Sequence, residues 1–176
     1  LVVPVMRERN VMSVQRISPD GDKRFWPGAT VKAGSYIIER PGAQVQVLCE
    51  GLATGLALFA AVSLARVIVA FDAGNLSRVA IPRRGLVCIA ADNDSATAAR
   101  LGHNPGIEAA REAAEAFGCG VAIPEGMTGT DWCDYRNERI AALLIDRPKA
   151  RESDIRRAVD AEIAAQIMRA AKFLHS

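Results

Sequence analysis

Four short apolar runs, VQVLC (45–49), RVIVAF (66–71), GLVCIAA (85–91) and GVAIP (120–124), recur along the middle of the chain with Ala-rich helical segments between them. Runs of this length fit strands buried on both faces, and the intervening helices supply the right-handed crossovers that parallel strands require. The pattern predicts an α/β fold: a mostly parallel sheet of about four strands, doubly wound and flanked by helices. Residues 1–45 read differently, as a small β-rich segment with extended candidates at 1–6, 11–17, 23–26 and 35–39, punctuated by the turns SPDGD, WPG and RPG. Helices are expected near 76–80, at 105–117, and after the loop that follows Pro124, ending about Ile145. Beyond a DRPKA break, Ile155, Val159, Ile163, Ile167 and Phe173 fall near helical spacing over 151–174. The expected division is a β-rich 1–45, an α/β core at 46–147, and an amphipathic helix or linker at 148–176.

Composition narrows the class. Half of the 176 residues are hydrophobic and the formal charge is +2, so neither a disordered chain nor a strongly basic coat protein fits. Cys49, Cys88, Cys119 and Cys133 show no CxxC spacing, and with only two histidines a structural zinc is not expected. They read as reduced thiols in a cytoplasmic protein. The longest uncharged run, 51–65, is shorter than the roughly 20 residues that span a bilayer, so a buried helix is expected and no membrane partner. The start, LVVPVMRERN, does not read as a signal peptide, and its Leu1 suggests a piece of a longer chain.

In an open parallel sheet the ligand site lies outside the carboxyl ends of the strands. Acids stand there repeatedly: Glu50 after the first run, Asp72 after the second, Asp92 and Asp94 after the third, Asp131 and Asp134 in the loop after the fourth. Alternation in an extended segment would point Asp92 and Asp94 the same way, toward one hard cation. An isolated acid at a strand end is commonly a helix cap, and Asp72 reads most simply so. The conjunction of Glu after one strand with DxD after another is what points to a metal site. GLATGL lacks the lysine of a phosphate loop, and Gly51 and Gly55 read as a tight turn and a close helix–sheet approach.

These features resemble the Toprim domain shared by primases, topoisomerases and some nucleases. DGDKRFWPG (20–28), CEGLATGLAL (49–58), FDAGNL (71–76), ADND (91–94) and GTDWCDY (129–135) together resemble the Toprim region of primase-like proteins from plasmids, phages and other mobile elements, over about residues 1–140. The resemblance implies that Glu50 is catalytic and that Asp92 and Asp94 hold Mg²⁺ or Mn²⁺. It makes Asp131 and Asp134 a further acidic motif, from which Asp131 could join the metal. One position departs from cellular bacterial primases, which usually carry an acid four residues after the glutamate where this chain has Thr54. Neither Tyr36 nor Tyr135 stands in a topoisomerase nucleophile context.

The implied activity is metal-dependent nucleotidyl transfer, most simply primer synthesis on single-stranded DNA from nucleoside triphosphates. A nuclease on the same apparatus, or a non-catalytic DNA- or protein-binding scaffold, are the alternatives. A helicase or zinc-binding module would reside elsewhere in the parent protein, since no Walker A motif and no CxxC module are present. For nucleic acid or nucleotide, the candidates are Lys23 and Arg24, which adjoin Phe25 and Trp26, together with Asn75, Arg100 and His103. Arg83 and Arg84 read as a solvated loop. The charge divides as +3 over 1–45, −3 over 46–136 and +2 over 137–176: an acidic module, flanked by basic segments, that would need metal to approach nucleic acid.

Overall fold

The apolar runs set the sheet. In the computed structural model, which describes residues 1–82, 85–126 and 128–174 (Ala96 by its backbone only), β1 (Val2–Arg7), β2 (Asn10–Ile17) and β3 (Lys23–Phe25) form a small antiparallel sheet. β4 (Tyr36–Glu39) belongs to the main sheet. There β5 (Val45–Cys49), β6 (Ala65–Val69), β7 (Gly85–Ala90) and β8 (Gly120–Ala122) are parallel in the order β6-β5-β7-β8. β4 lies antiparallel outside β6, and β9 (Lys172–Leu174) pairs antiparallel with β7. The helices are α1 (Leu52–Ala61), α2 (Ser95–Leu101), α3 (Pro105–Phe117), α4 (Trp132–Asp146) and α5 (Glu152–Ala170).

Period-two alternation divides the core between the two faces. Val45, Val47, Cys49, Val67, Val69, Cys88 and Ala90 share a cluster with Leu52 and Leu58 of α1, Trp132 and Ile140 of α4, and Ile155, Val159, Ile163 and Ile167 of α5. Leu48, Ile68, Val87 and Ile89 face the opposite way, onto Ala110, Ala113 and Ala114 of α3. Gly55 lets α1 approach this sheet: a Cβ there would stand 2.7 Å from Cγ2 of Val69. At the other edge a Cβ on Gly120 would stand 1.8 Å from the carbonyl oxygen of Ala170, so only glycine lets the end of α5 pass beneath β8.

Several elements depart from the sequence reading. Residues 35–39 were expected within the N-terminal segment, but β4 finds its partner in β6, a pairing that no local pattern reveals. The helix expected near 76–80 is instead a 3-10 turn at Ala73–Asn75. α2 was not anticipated; Asp94 caps its start and Gly102, at φ +79, ends it. The C-terminal helix stops at Ala170, and 172–174 is strand. α5 itself packs as part of the core. Its four buried aliphatics each contribute about 1.5–3 kcal/mol relative to exposure, and Arg136–Asp160 (2.6 Å) and Arg139–Glu162 (3.1 Å) tie it to α4. Arg83 and Arg84 lie outside the described residues.

All four cysteines are free, and burial pushes every thiol above its ordinary range, Cys88 to about 12. Among the described residues no helix is long and apolar enough to cross a membrane.

Candidate active site

β5 and β7 are neighbours in register, Cys49 opposite Ala90, yet the chain leaves them toward opposite faces: β5 enters α1 and β7 leads to α2 and α3. Adjacent parallel strands whose connections diverge open a crevice at their carboxyl ends. Glu50 is the first residue after β5, and Asp92 the second after β7. The ladder continues one step past the strands, with Ala70 N–H donating to the Cys49 carbonyl and Phe71 N–H to the Glu50 carbonyl, both at 2.8 Å. That step holds Phe71 at φ +74, a left-handed conformation costly for a bulky residue. Its ring meets Phe25 of β3 edge-on, with centroids 5.9 Å apart, which brings the small sheet against the rim of the crevice.

Three acids share one field. Burial, and then the Glu50 and Asp131 carboxylates, raise Asp92 to about 7, while the Thr54 hydroxyl, donating to Oδ1 at 3.1 Å, and Lys23 oppose them. Burial also raises Glu50, aided by the Asp72 carboxylate and opposed by Lys23 and the Ala73 N–H. Glu50 and Asp92 at the strand ends, Asp72 beyond β6 and Asp131 at the start of α4 therefore form a connected set of acids, with Lys23 the cation that both Glu50 and Asp92 feel. Thr54, fully buried in the first turn of α1, stands where an additional acid would have crowded Asp92.

The other acids are engaged in building loops. β7 ends at Ala90, so residues 92–94 are not a strand and alternation does not align Asp94 with Asp92. Asp94 instead accepts from the Thr97 N–H at 2.9 Å and from the Thr97 hydroxyl, capping α2. Asp131 caps α4 through Oδ1, which accepts from the N–H groups of Cys133 (2.7 Å) and Asp134 (2.9 Å). Asp134 accepts from the Thr130 N–H at 2.9 Å. Asn93 supports the whole corner: its N–H donates to the Thr130 carbonyl at 2.6 Å, its amide to Pro124, and its Oδ1 accepts from Asn104.

The basic and polar candidates separate. Lys23 and Phe25 share one face of β3 and turn toward the crevice; Arg24, on the opposite face, lies 3.7 Å from Asp22 and away from the acids. Asn75 is turned inward. Only 2 % exposed, it accepts from Ala33 N–H (2.7 Å) and donates to the carbonyls of Val31, Gly34 and Ala70, so it clamps the backbone and does not line the crevice. Arg100 is exposed in the last turn of α2, and His103 lies 3.0 Å from Glu108.

A family model described as the Toprim domain matches residues 45–142, from the first residue of β5 into α4. The chain belongs to the Toprim family. Toprim domains occur in primases, nucleases and topoisomerases, are usually catalytic nucleic-acid enzymes, and typically bind Mg²⁺. No curated protein and no solved structure matches this chain. Among the described residues no three His, Cys, Asp or Glu side chains already stand as a ligand group. The donor chemistry of the Toprim site nonetheless suits a hard divalent cation: Glu50 and Asp92 are carboxylates whose proton affinity is raised by burial and then by neighbouring carboxylates, a conflict that a cation relieves.

Glu138, which the sequence reading passed over, fixes the loop that carries Asp131. Its carboxylate accepts from the Thr128 N–H (2.9 Å), the Thr128 hydroxyl (2.7 Å) and the Gly129 N–H (2.7 Å), and these bonds hold it below the ordinary carboxylate range. A depressed acid contributes stability above its unfolded pKa and loses it as pH falls through the folded value. Amide exchange at Thr128 and Gly129 is expected to be several-fold faster in Glu138→Ala than in wild type at pH 7, with the difference disappearing as pH falls through the lowered folded-state pKa of Glu138. Equal protection at neutral pH would show that Glu138 does not hold the loop.

Proposed function

We propose that this Toprim domain is the catalytic core of a primase of the kind carried by plasmids, phages and other mobile elements, and that it makes primers on single-stranded DNA from nucleoside triphosphates. The observation that carries the reading is the shared field of Glu50 and Asp92, at the ends of neighbouring strands, and Asp131, at the start of α4, with Lys23 of the small sheet beside it. The resemblance of residues 20–28 to primase-like proteins, outside the family match, favours synthesis over cleavage.

Asp92 and Asp131 would hold Mg²⁺ or Mn²⁺, with Asp94 joining if its carboxylate serves both cap and cation. The cation supplies charge neutralisation at the reacting phosphate. Glu50, raised by burial and by Asp72, is suited to accept the proton of an attacking 3′-hydroxyl as pyrophosphate leaves. Lys23 balances negative charge on the β3 side of the crevice. Arg24, Arg100 and His103 are exposed side chains that could turn to template phosphates, Arg24 and His103 by leaving Asp22 and Glu108, and Asp134 keeps the loop before Asp131 in place. A helicase or zinc-binding module in the parent protein would supply unwinding and template choice.

The chain incubated with single-stranded DNA, Mg²⁺ or Mn²⁺ and nucleoside triphosphates is expected to yield short complementary oligonucleotides. Metal-dependent cleavage of labelled DNA without nucleotides, and no synthesis, would instead establish a nuclease. Binding to DNA with neither activity would mark a scaffold.

A further inference from the structure

Between the small sheet and the main sheet lies a hollow of about 420 Å³, walled by residues 29–32 on one side and by Asp72, Asn75 and Arg78 on the other. Its charged groups are two cations, Lys32 and Arg78, and one acid, Asp72. Neither cation makes an ion pair among the described residues, whereas Arg24, Arg66, Arg136 and Arg139 each face a carboxylate. With Asp72 as the one acid on the wall the cations are in excess, and an excess of cations on a concave wall concentrates a positive field within it.

Two further observations locate and stiffen the hollow. Asp72 lines it and also raises Glu50, so the hollow adjoins the acid set. Its walls are held before any ligand arrives: Asn75 fixes residues 31–34 through its amide bonds, the Lys32 N–H donates to Thr30 Oγ1 at 3.2 Å, and Arg78 donates to the Gly74 carbonyl. Such preorganisation lowers the ordering cost of binding.

We infer that this hollow receives the triphosphate tail of a nucleotide whose α-phosphate lies at the acids, with Lys32 and Arg78 contacting the distal phosphates. The inference rests on the nucleotidyl-transfer reading and deepens it. Lys32 offers a mobile point charge and Arg78 a planar fork, both suited to phosphate oxygens. Two cations converging on one hollow match consecutive phosphates of a single polyphosphate. A strand backbone would instead call for cations spread along a groove.

The test is calorimetric titration of the full chain, in Mg²⁺, with inorganic tripolyphosphate, with GTP and with oligodeoxythymidine, repeated for Lys32→Gln and Arg78→Gln. Both side chains are exposed, so both variants should melt as wild type does. Each is expected to bind tripolyphosphate and GTP about tenfold more weakly, with affinity for the oligonucleotide unchanged. Wild-type affinity for tripolyphosphate in both variants, or no binding by wild type, would overturn the assignment. So would an equal loss for the oligonucleotide, which would assign the hollow to the DNA backbone. Binding of tripolyphosphate involves no synthesis, so variant-sensitive binding without primer products would count against the primase reading while supporting the polyphosphate site.

Discussion

Asp92→Asn and Glu50→Gln are each expected to lower nucleotide incorporation by about 10²- to 10⁴-fold while leaving the chain folded. The two substitutions act differently. The amide that replaces the Asp92 carboxylate keeps an oxygen for the Thr54 hydroxyl but lacks the charge that attracts a divalent cation, so metal affinity and turnover should fall together. The amide that replaces the Glu50 carboxylate cannot accept the proton, so turnover should fall with substrate binding largely kept. Neither variant should be less stable than wild type in metal-free buffer, because each removes one member of a set of buried carboxylates that oppose one another's ionisation. Full incorporation by either variant would remove these residues from the chemistry.

Asn75→Ala should produce a large loss of stability for a single polar substitution. The alanine leaves the part-buried Ala33 N–H and three carbonyls, those of Gly34 and Ala70 in buried bonds, without the partner they have now. Each such loss costs about 1–3 kcal/mol, softened where a carbonyl keeps another partner, for a total of about 3–5 kcal/mol. At this size of chain that corresponds to a melting temperature lower by roughly 10 °C. The damage has an address: residues 31–34 bind to the main sheet through Asn75, so amide exchange should rise first in 29–34. Asn75→Asp should be worse, since a carboxylate would face three carbonyl oxygens without a donor. An unchanged melting temperature and exchange pattern would mean that residues 31–34 are held by other contacts, such as the backbone bonds between Met6 and Ser35.

What was legible in the sequence follows from where the information lies. The runs that become β5, β6, β7 and β8 are buried on both faces, so their character is written locally, and Glu50 and Asp92 inherit their positions from the ends of those runs. Asp94 was misaligned because alternation was carried past Ala90, where the strand ends and an N-cap begins. The Asp94–Thr97 spacing ahead of Gly102 was the available signal for α2. Lys23 and Arg24 were grouped as adjacent bases, although two-residue periodicity already puts them on opposite faces of β3. Asn75, β4 and β9 were beyond sequence reasoning for a different reason. Their partners lie about thirty to ninety residues away, and nothing near them in the chain names the contact.

The proposed chemistry depends on a divalent cation held in the crevice between β5 and β7 by Asp92 and Asp131. Titrating Mn²⁺ into the full chain, followed by electron paramagnetic resonance, tests it most directly, with Asp92→Asn, Asp131→Asn and Asp94→Asn compared in parallel. Asparagine caps a helix about as well as aspartate, so the Asp94 and Asp131 variants separate capping from metal binding. Wild type should bind Mn²⁺ saturably, with affinity weakened at least tenfold in Asp92→Asn and Asp131→Asn. Binding that is absent in wild type, or undiminished in both variants, would contradict it.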